Sequence, residues 1–275
     1  MTASADATDD AVVAVPQTDV DDLDPESNRR RIADRVAALP ADVDLAVFPE
    51  YALTGFVPDE RVHEAALERE TAVHWLREVA REEGTALVAG FLERDTDGRT
   101  YNAVAHVPPA STRDSAGDAA GDAADETAVY RKRHLRGAEA DLLTAGEERV
   151  VVETAAGATA LLTCYDLNFV AESAALTEER VDALAVPAAW PAAYSENWRL
   201  LLRARALDGV RWVVGAGRTG SRDVAGAPAT EYAGRSAVVR PDGVVHRSLA
   251  RGERDLVATL DEDLLREQRA FVGSV

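Results

Sequence analysis

The chain has 275 residues, 47% of them hydrophobic, and carries a formal net charge of -19. That length accommodates a domain with a full core, and the apolar content excludes a disordered chain in spite of the charge. A surface so acidic repels nucleic-acid phosphates and anionic membranes, so neither is an expected partner.

Residues 1–10 read as a loose acidic tail without the apolar segment of a secretory signal. The run AVVAVPQ (11–17) predicts a buried strand. Asp24-Pro25 fits a helix N-cap followed by proline at the first helical position, and Ile32, Val36 and Leu39 give that helix one apolar face before Pro40. DLAVF (44–48) predicts a second strand closed by Pro49. Residues 59–83 predict one long charged helix, with Val62, Ala66, Val73, Leu76 and Ala80 inward and Gly84 as its stop. TALVAGFLE (85–93) and YNAVAHV (101–107) predict strands joined by a turn at Asp97-Gly98. Residues 108–127, rich in Ala, Asp, Gly, Ser and Pro, read as a low-complexity acidic loop.

VYRKRHL (129–135) is strand-like, and strands are predicted at 150–153, 158–164, 182–188, 211–217, 235–239, 244–249 and 255–260. NWRLLLRARALDG (197–209) predicts a helix with a glycine stop, and DEDLLREQR opens a last one. The alternation gives an α/β fold, and strands that are apolar throughout imply cover on both sheet faces. No composition break divides residues 11–275, which are expected to form a single domain. No stretch of 18 apolar residues suggests a membrane span, so the cytoplasm is the expected location.

Three residues stand at the ends of predicted strands, where sites assemble in open α/β folds. Glu50 follows DLAVFP; alone it is an ordinary glutamate in an acidic chain. Lys132 is the only lysine, every other cation of the Lys/Arg type being arginine. A lysine kept among arginines suggests a role that needs a compact point charge, such as facing one developing oxyanion. Cys164, the only cysteine, ends ATALLTC. It is either a small buried hydrophobe or a nucleophile at a strand-to-helix turn, its thiolate held by backbone N–H groups and a cation. One cysteine excludes an internal disulfide and a cysteine-based zinc cluster, and the scattered histidines form no metal pair, so neither a metal nor another cofactor is expected. The scarcity of lysine with abundant Asp and Glu resembles proteins of high-salt cytoplasm and suggests a halophile-like source whose stability rises with molar salt.

Taken in order, FPE at Glu50, Y-x-K-x-H-L at Lys132 and C-Y-D at Cys164 resemble the nitrilase superfamily of carbon–nitrogen hydrolases. Asn28, ALAVPAAWP (183–191), WRLLLRARALDGVRWVVGAGRTG (198–220) and Gly234-Arg235-Ser236 leading to Pro241-Asp242-Gly243 extend the likeness over nearly the whole chain. The resemblance implies a four-layer α-β-β-α sandwich and a homodimer or higher homo-oligomer. It implies Glu50 as general base, Lys132 and the Tyr165 N–H as oxyanion stabilisers, and Cys164 as nucleophile. It also implies a second glutamate after the lysine, for which Glu139 fits best and Asp141 competes.

The sequence departs from C-Y-D-x-R-F-x-E: Asn168 stands for the arginine and the glutamate is displaced to Glu172. His134 shares a strand side with Lys132 if the strand continues, and is expected to pack near the site; Asp166 is expected to bond the turn backbone. Tyr51, Phe56, Trp190, Tyr194 and Trp198 are candidates for the pocket wall, and Arg136 or Arg218 for holding a substrate carboxylate. The expected activity is cleavage of a non-peptide C–N bond in a small-molecule amide or N-carbamoyl compound, through a thioester. A nitrile hydrolase is the weaker alternative because the nucleophile reads Cys-Tyr-Asp. A non-catalytic binding relative is the alternative of another class.

Overall fold

Successive residues of β1 (Ala11–Gln17) are buried against different partners, which is the period-two geometry of a strand covered on both faces. Val13 and Val15 face one core, Ala14 another. The computed structural model describes residues 10–109 and 127–273. Most of the acidic tail and of the low-complexity loop therefore lies outside the described residues.

After β1 come α1 (Pro25–Ala37), β2 (Leu45–Val47), α2 (Arg61–Ala65), β3 (Leu67–Glu68), α3 (Arg69–Glu83), β4 (Ala86–Arg94), β5 (Thr100–Val107) and β6 (Ala128–Arg131). The second half runs α4 (Ala138–Leu142), β7 (Val150–Thr154), β8 (Gly157–Leu161), a 3-10 turn (Cys164–Asn168), α5 (Val170–Glu178), β9 (Ala183–Ala188), α6 (Ser195–Gly209) and β10 (Trp212–Gly217). It ends with β11 (Ser221–Arg222), β12 (Thr230–Glu231), β13 (Ala237–Val239), β14 (Val245–Ser248), β15 (Arg254–Leu260) and α7 (Glu262–Val272).

Two large sheets result, ordered β15-β1-β2-β4-β5-β6 and β14-β13-β10-β9-β8-β7, with β3 added beside β4, while β11 and β12 pair separately. Each has a parallel centre, β1-β2-β4 in one and β8-β9-β10 in the other. Antiparallel strands flank both centres. The sheets meet through Val13, Val15, Val47, Val88, Leu161, Ala185 and Val214. On the outer face of the first sheet, α1 and α3 bury Ile32, Val36, Val73 and Leu76 against Ala14, Ala46 and Phe48. On the outer face of the second, α5 and α6 bury Leu176, Trp198, Leu202 and Ala206 against Leu184, Val186 and Val213. The layers are thus α-β-β-α.

The α1 start is as the sequence predicts: Asp24 accepts from the Ser27 N–H at 3.0 Å and Pro25 opens the helix. The single helix expected over 59–83 is divided. Ala66 is extended (φ -67, ψ 133), and Leu67 and Glu68 pair with Glu93 and Arg94 instead. Arg69 then donates to the buried Glu93 at 2.8 Å, which anchors the restart. The glutamates spaced through this segment favour helix everywhere, so the pattern carries no mark of the break. β8 ends at Leu161, short of the predicted 164, and β6 ends at Arg131, short of 135.

Candidate active site

Glu50 lies just past β2, where the chain turns against β4. Phe48 N–H donates to the Val88 carbonyl at 2.7 Å and Leu53 N–H to the Gly90 carbonyl at 3.0 Å. A Cβ at Gly90 would stand 2.6 Å from the Tyr51 nitrogen and 2.8 Å from the Glu50 Cα, so only glycine lets the turn sit this close. Tyr51 holds the left-handed conformation at φ 60. Such strain in a non-glycine residue persists only where surrounding contacts enforce it.

Lys132 follows β6. Its N–H donates to the Asn102 carbonyl at 2.8 Å, and its own carbonyl accepts from Gly146 at 2.9 Å. The side chain is buried (2% exposed) and its Nζ lies 2.8 Å from Glu50 Oε1 and 2.9 and 2.7 Å from the two Glu139 oxygens. Of the two competing carboxylates after the lysine, α4 thus brings Glu139 to the ammonium and leaves Asp141 exposed. Burial works against the Lys132 charge, but Glu139 and Glu50 outweigh it and raise its pKa well above 10.5.

Asn102, the third residue of the wholly buried β5, ties this group together. Its Nδ2 lies 2.8 Å from Glu50 Oε1, 2.8 Å from the Tyr51 hydroxyl and 2.9 Å from Glu139 Oε1. The Tyr51 hydroxyl donates to Glu139. The second Glu50 oxygen accepts from the Ala189 N–H at 2.7 Å, just past β9. Asn102 was not singled out by sequence; the available signal was an asparagine inside a strand whose every residue is buried.

Cys164 opens the 3-10 turn at φ 47, again left-handed. The carboxylate of Asp166 caps that turn, accepting from the Thr163 N–H at 2.9 Å. It also accepts from the Tyr130 hydroxyl at 2.7 Å, from the His134 N–H at 3.1 Å, and faces His134 Nδ1 at 2.9 Å. The Cys164 thiol shares the pocket with Glu50 and Lys132. Burial, then Glu50, pushes its pKa well above 9.0, and Lys132 does not reverse this. A thiol that keeps its proton is what a neighbouring carboxylate acting as general base requires.

One pocket of about 470 Å³ takes in eight of the residues selected from sequence, Glu50, Tyr51, Lys132, Glu139, Cys164, Tyr165, Trp190 and Tyr194. Tyr194 is half-exposed at its edge. Phe56 and Arg136 also line it. Trp198 does not: it is wholly buried, with its Nε1 donating to the Arg235 carbonyl at 3.0 Å. Arg218 does not either, because Asp22 engages it at 2.8 Å in the core. His134 leaves the side of Lys132 because β6 has ended; its ring stacks on Phe169 at 3.6 Å. Arg133, not residue 168, pairs with the displaced Glu172, and Asn168 bonds the Tyr165 carbonyl at 3.1 Å while facing the pocket. Arg222, Thr230 and Tyr232 of the β11–β12 hairpin complete the wall and were missed. Among the described residues, no group of three or more His, Cys, Asp or Glu side chains is arranged to hold a metal ion. Nor is any helix there long and apolar enough to cross a membrane.

This two-sheet sandwich with a buried Glu-Lys-Cys cluster defines a hydrolase fold, and comparison with known proteins places it. Residues 11–270 match the family model for carbon-nitrogen hydrolase. The chain belongs to that family, within the nitrilase superfamily, and is a carbon–nitrogen hydrolase. It is 32% identical over 232 residues to the omega-amidase YafV of Escherichia coli strain K12, covering 82% of this chain and 80% of that protein. Among solved structures it is similar to XC1258 of Xanthomonas campestris, a CN-hydrolase superfamily protein, at 27% identity and a TM-score of 0.79, covering 95% of this chain and 94% of that one. It is also similar to a mutant amidase of Nesterenkonia sp. AN1 carrying acrylamide at its active site cysteine, at 25% identity and a TM-score of 0.76, covering 95% of this chain and 98% of that one.

Proposed function

We propose that the protein is a cysteine-dependent amidase that cleaves a small linear amide or N-carbamoyl compound through a thioester. The observation that carries this reading is one thiol, one carboxylate and one ammonium, all buried and all lining one pocket, with the ammonium 2.8 Å from the carboxylate. The amidases among the relatives agree with it.

Cys164 is protonated at rest, so the nucleophile must be made during attack. Glu50 takes the thiol proton as Sγ bonds the amide carbon. The carbonyl oxygen becomes an oxyanion, which the Lys132 ammonium and the Tyr165 N–H stabilise. Glu50 returns the proton to the leaving nitrogen, and ammonia or an amine departs from the thioester. Water, activated by the same carboxylate, then releases the acid and restores the thiol. Glu139 holds Lys132 in place and keeps it charged. Compactness of the ammonium explains why lysine is retained here among so many arginines.

An ammonia-release assay across amides and carbamoyl compounds tests the proposal. Activity on at least one is expected, together with its loss in Cys164→Ala. Undiminished activity of that variant would sink the mechanism.

A further inference from the structure

One ammonium, Lys132, serves two carboxylates, Glu50 and Glu139, so a surplus negative charge stays in the buried site. Such a charge is either held by neutral donors or lost by taking up a proton. Of the neutral donors among the described residues, the Ala189 N–H reaches only Glu50 and the Tyr51 hydroxyl only Glu139. Asn102 reaches both.

Three oxygens surround Asn102 Nδ2, at 2.8, 2.8 and 2.9 Å, but an amide nitrogen has only two hydrogens. The Tyr51 hydroxyl gives its own hydrogen to Glu139, so its oxygen is left as an acceptor. One Asn102 hydrogen therefore goes to Glu50 Oε1, and the other is divided between Tyr51 and Glu139. On the other side of the amide, Oδ1 is buried with no hydrogen-bond partner among the described residues. An orphaned buried carbonyl costs stability. The reversed amide would cost more, because it would set that oxygen against two carboxylates. Asn102 is 1% exposed and is not part of the pocket lining, so it acts on the acids and not on the substrate.

We propose that Asn102 is a positioning residue for the hydrolysis: it keeps the Glu50–Glu139 pair ionised, and so keeps Glu50 able to take the thiol proton. The inference rests on the amidase reading and adds the group that maintains its base.

The other titratable groups facing the pair keep their charge in the acid range. Burial raises the pKa of Tyr51, Tyr232 and Cys164, and the two acids raise that of Lys132. Arg136 and Arg222 on the pocket wall stay charged. His134 and Asp166 bond each other. An acid limb in the rate profile therefore reports the carboxylate pair.

The experiment follows kcat/KM for ammonia release against pH in the wild type and in Asn102→Leu, which removes both hydrogens and the orphaned carbonyl at similar volume. The acid limb should move up by about one to two pH units, the scale of a hydrogen bond to a charged group. Below both limbs the variant should be roughly 10- to 100-fold slower, and the difference should close as the pH rises above them. KM above the limbs should stay near wild type. An unmoved limb, or a loss equal at every pH, makes Asn102 purely structural and overturns the proposal. If Asn102→Leu does not fold, the wild type decides by infrared spectroscopy. A carboxylic-acid band at neutral pH that Glu50→Gln removes would show the base protonated with Asn102 in place, and overturns the proposal; no such band is expected. If no amide is turned over, iodoacetamide alkylation of Cys164 replaces ammonia release. The variant-to-wild-type rate ratio should then climb towards one with pH. A ratio independent of pH overturns the role of Asn102, while the amidase reading stands or falls on the amide panel alone.

Discussion

Two buried polar clusters flank Cys164, and they are built on different physics. In front of the thiol, Glu50, Lys132 and Glu139 join three segments from the ends of β2, β6 and α4 through one ammonium. Behind it, the Asp166 carboxylate gathers the Thr163 and His134 N–H groups, the Tyr130 hydroxyl and the His134 ring. The front cluster opens on the pocket, and the proposed mechanism takes its proton acceptor, Glu50, and its cation, Lys132, from it. The rear cluster is closed off and holds the left-handed Cys164 turn in its strained shape. Burial alone therefore does not mark a site; what separates the clusters is access to the pocket and a buried ammonium that lines it.

Removing the centre of the front cluster should have the largest effect. Lys132→Met leaves two buried carboxylates without their cation, so stability is expected to fall by about 3–5 kcal/mol. Amide turnover should fall by at least roughly 10²-fold, the scale of losing one oxyanion donor. Denaturant titration and ammonia release measure the two losses. Turnover within a few-fold of wild type would place the oxyanion elsewhere.

Asp166→Asn tests the rear cluster with a nearly isosteric change. It weakens acceptance from Thr163 and His134, and the expected stability loss is about 1–3 kcal/mol. Because Asp166 acts through the turn that carries Cys164, kcat should drop while KM stays near wild type. Equal changes in both parameters would mean that the pocket itself had moved.

How much of this was legible in the sequence follows the same division. Lys132 and Cys164 could be read because each is unique in composition, and Glu50 because it stands in fixed order with them. The strands of both parallel centres were plain because continuous apolar runs are what doubly covered strands require. Asn102 was hidden because what matters about it, three partners around one Nδ2, exists only after β2, α4 and β5 meet. Arg222 carried no signal among so many arginines; its neutral surroundings come from the β11–β12 hairpin. The 59–83 segment has no glycine or proline at the break, so pairing beside β4, a tertiary event, set it. Arg133 took over the pairing of Glu172 from a position far from the altered motif, which no local pattern announces.

The smallest effect separates the clusters by pH. Folding raises the Cys164 pKa well above 9.0 and that of Lys132 well above 10.5 in the front cluster. Burial with nearby carboxylates also raises Tyr51, in front, and Tyr130, behind, well above 10.0. Each group keeps its proton in the folded chain at a pH where the unfolded chain has released it. Their contribution is complete below the unfolded values and is lost as pH rises towards the folded ones. Stability should therefore start to fall near pH 9, first through Cys164 and then through the tyrosines and the lysine. A single proton accounts for about 1.4 kcal/mol per pH unit. Cys164→Ala should flatten the first part of that limb, between roughly pH 9 and 10, and leave the steeper part beyond it. Tyr130→Phe should soften only the later part. A Cys164→Ala variant that follows the wild-type curve through this first interval would show that the thiol is not held protonated by the fold, and Glu50 would then have no proton to remove.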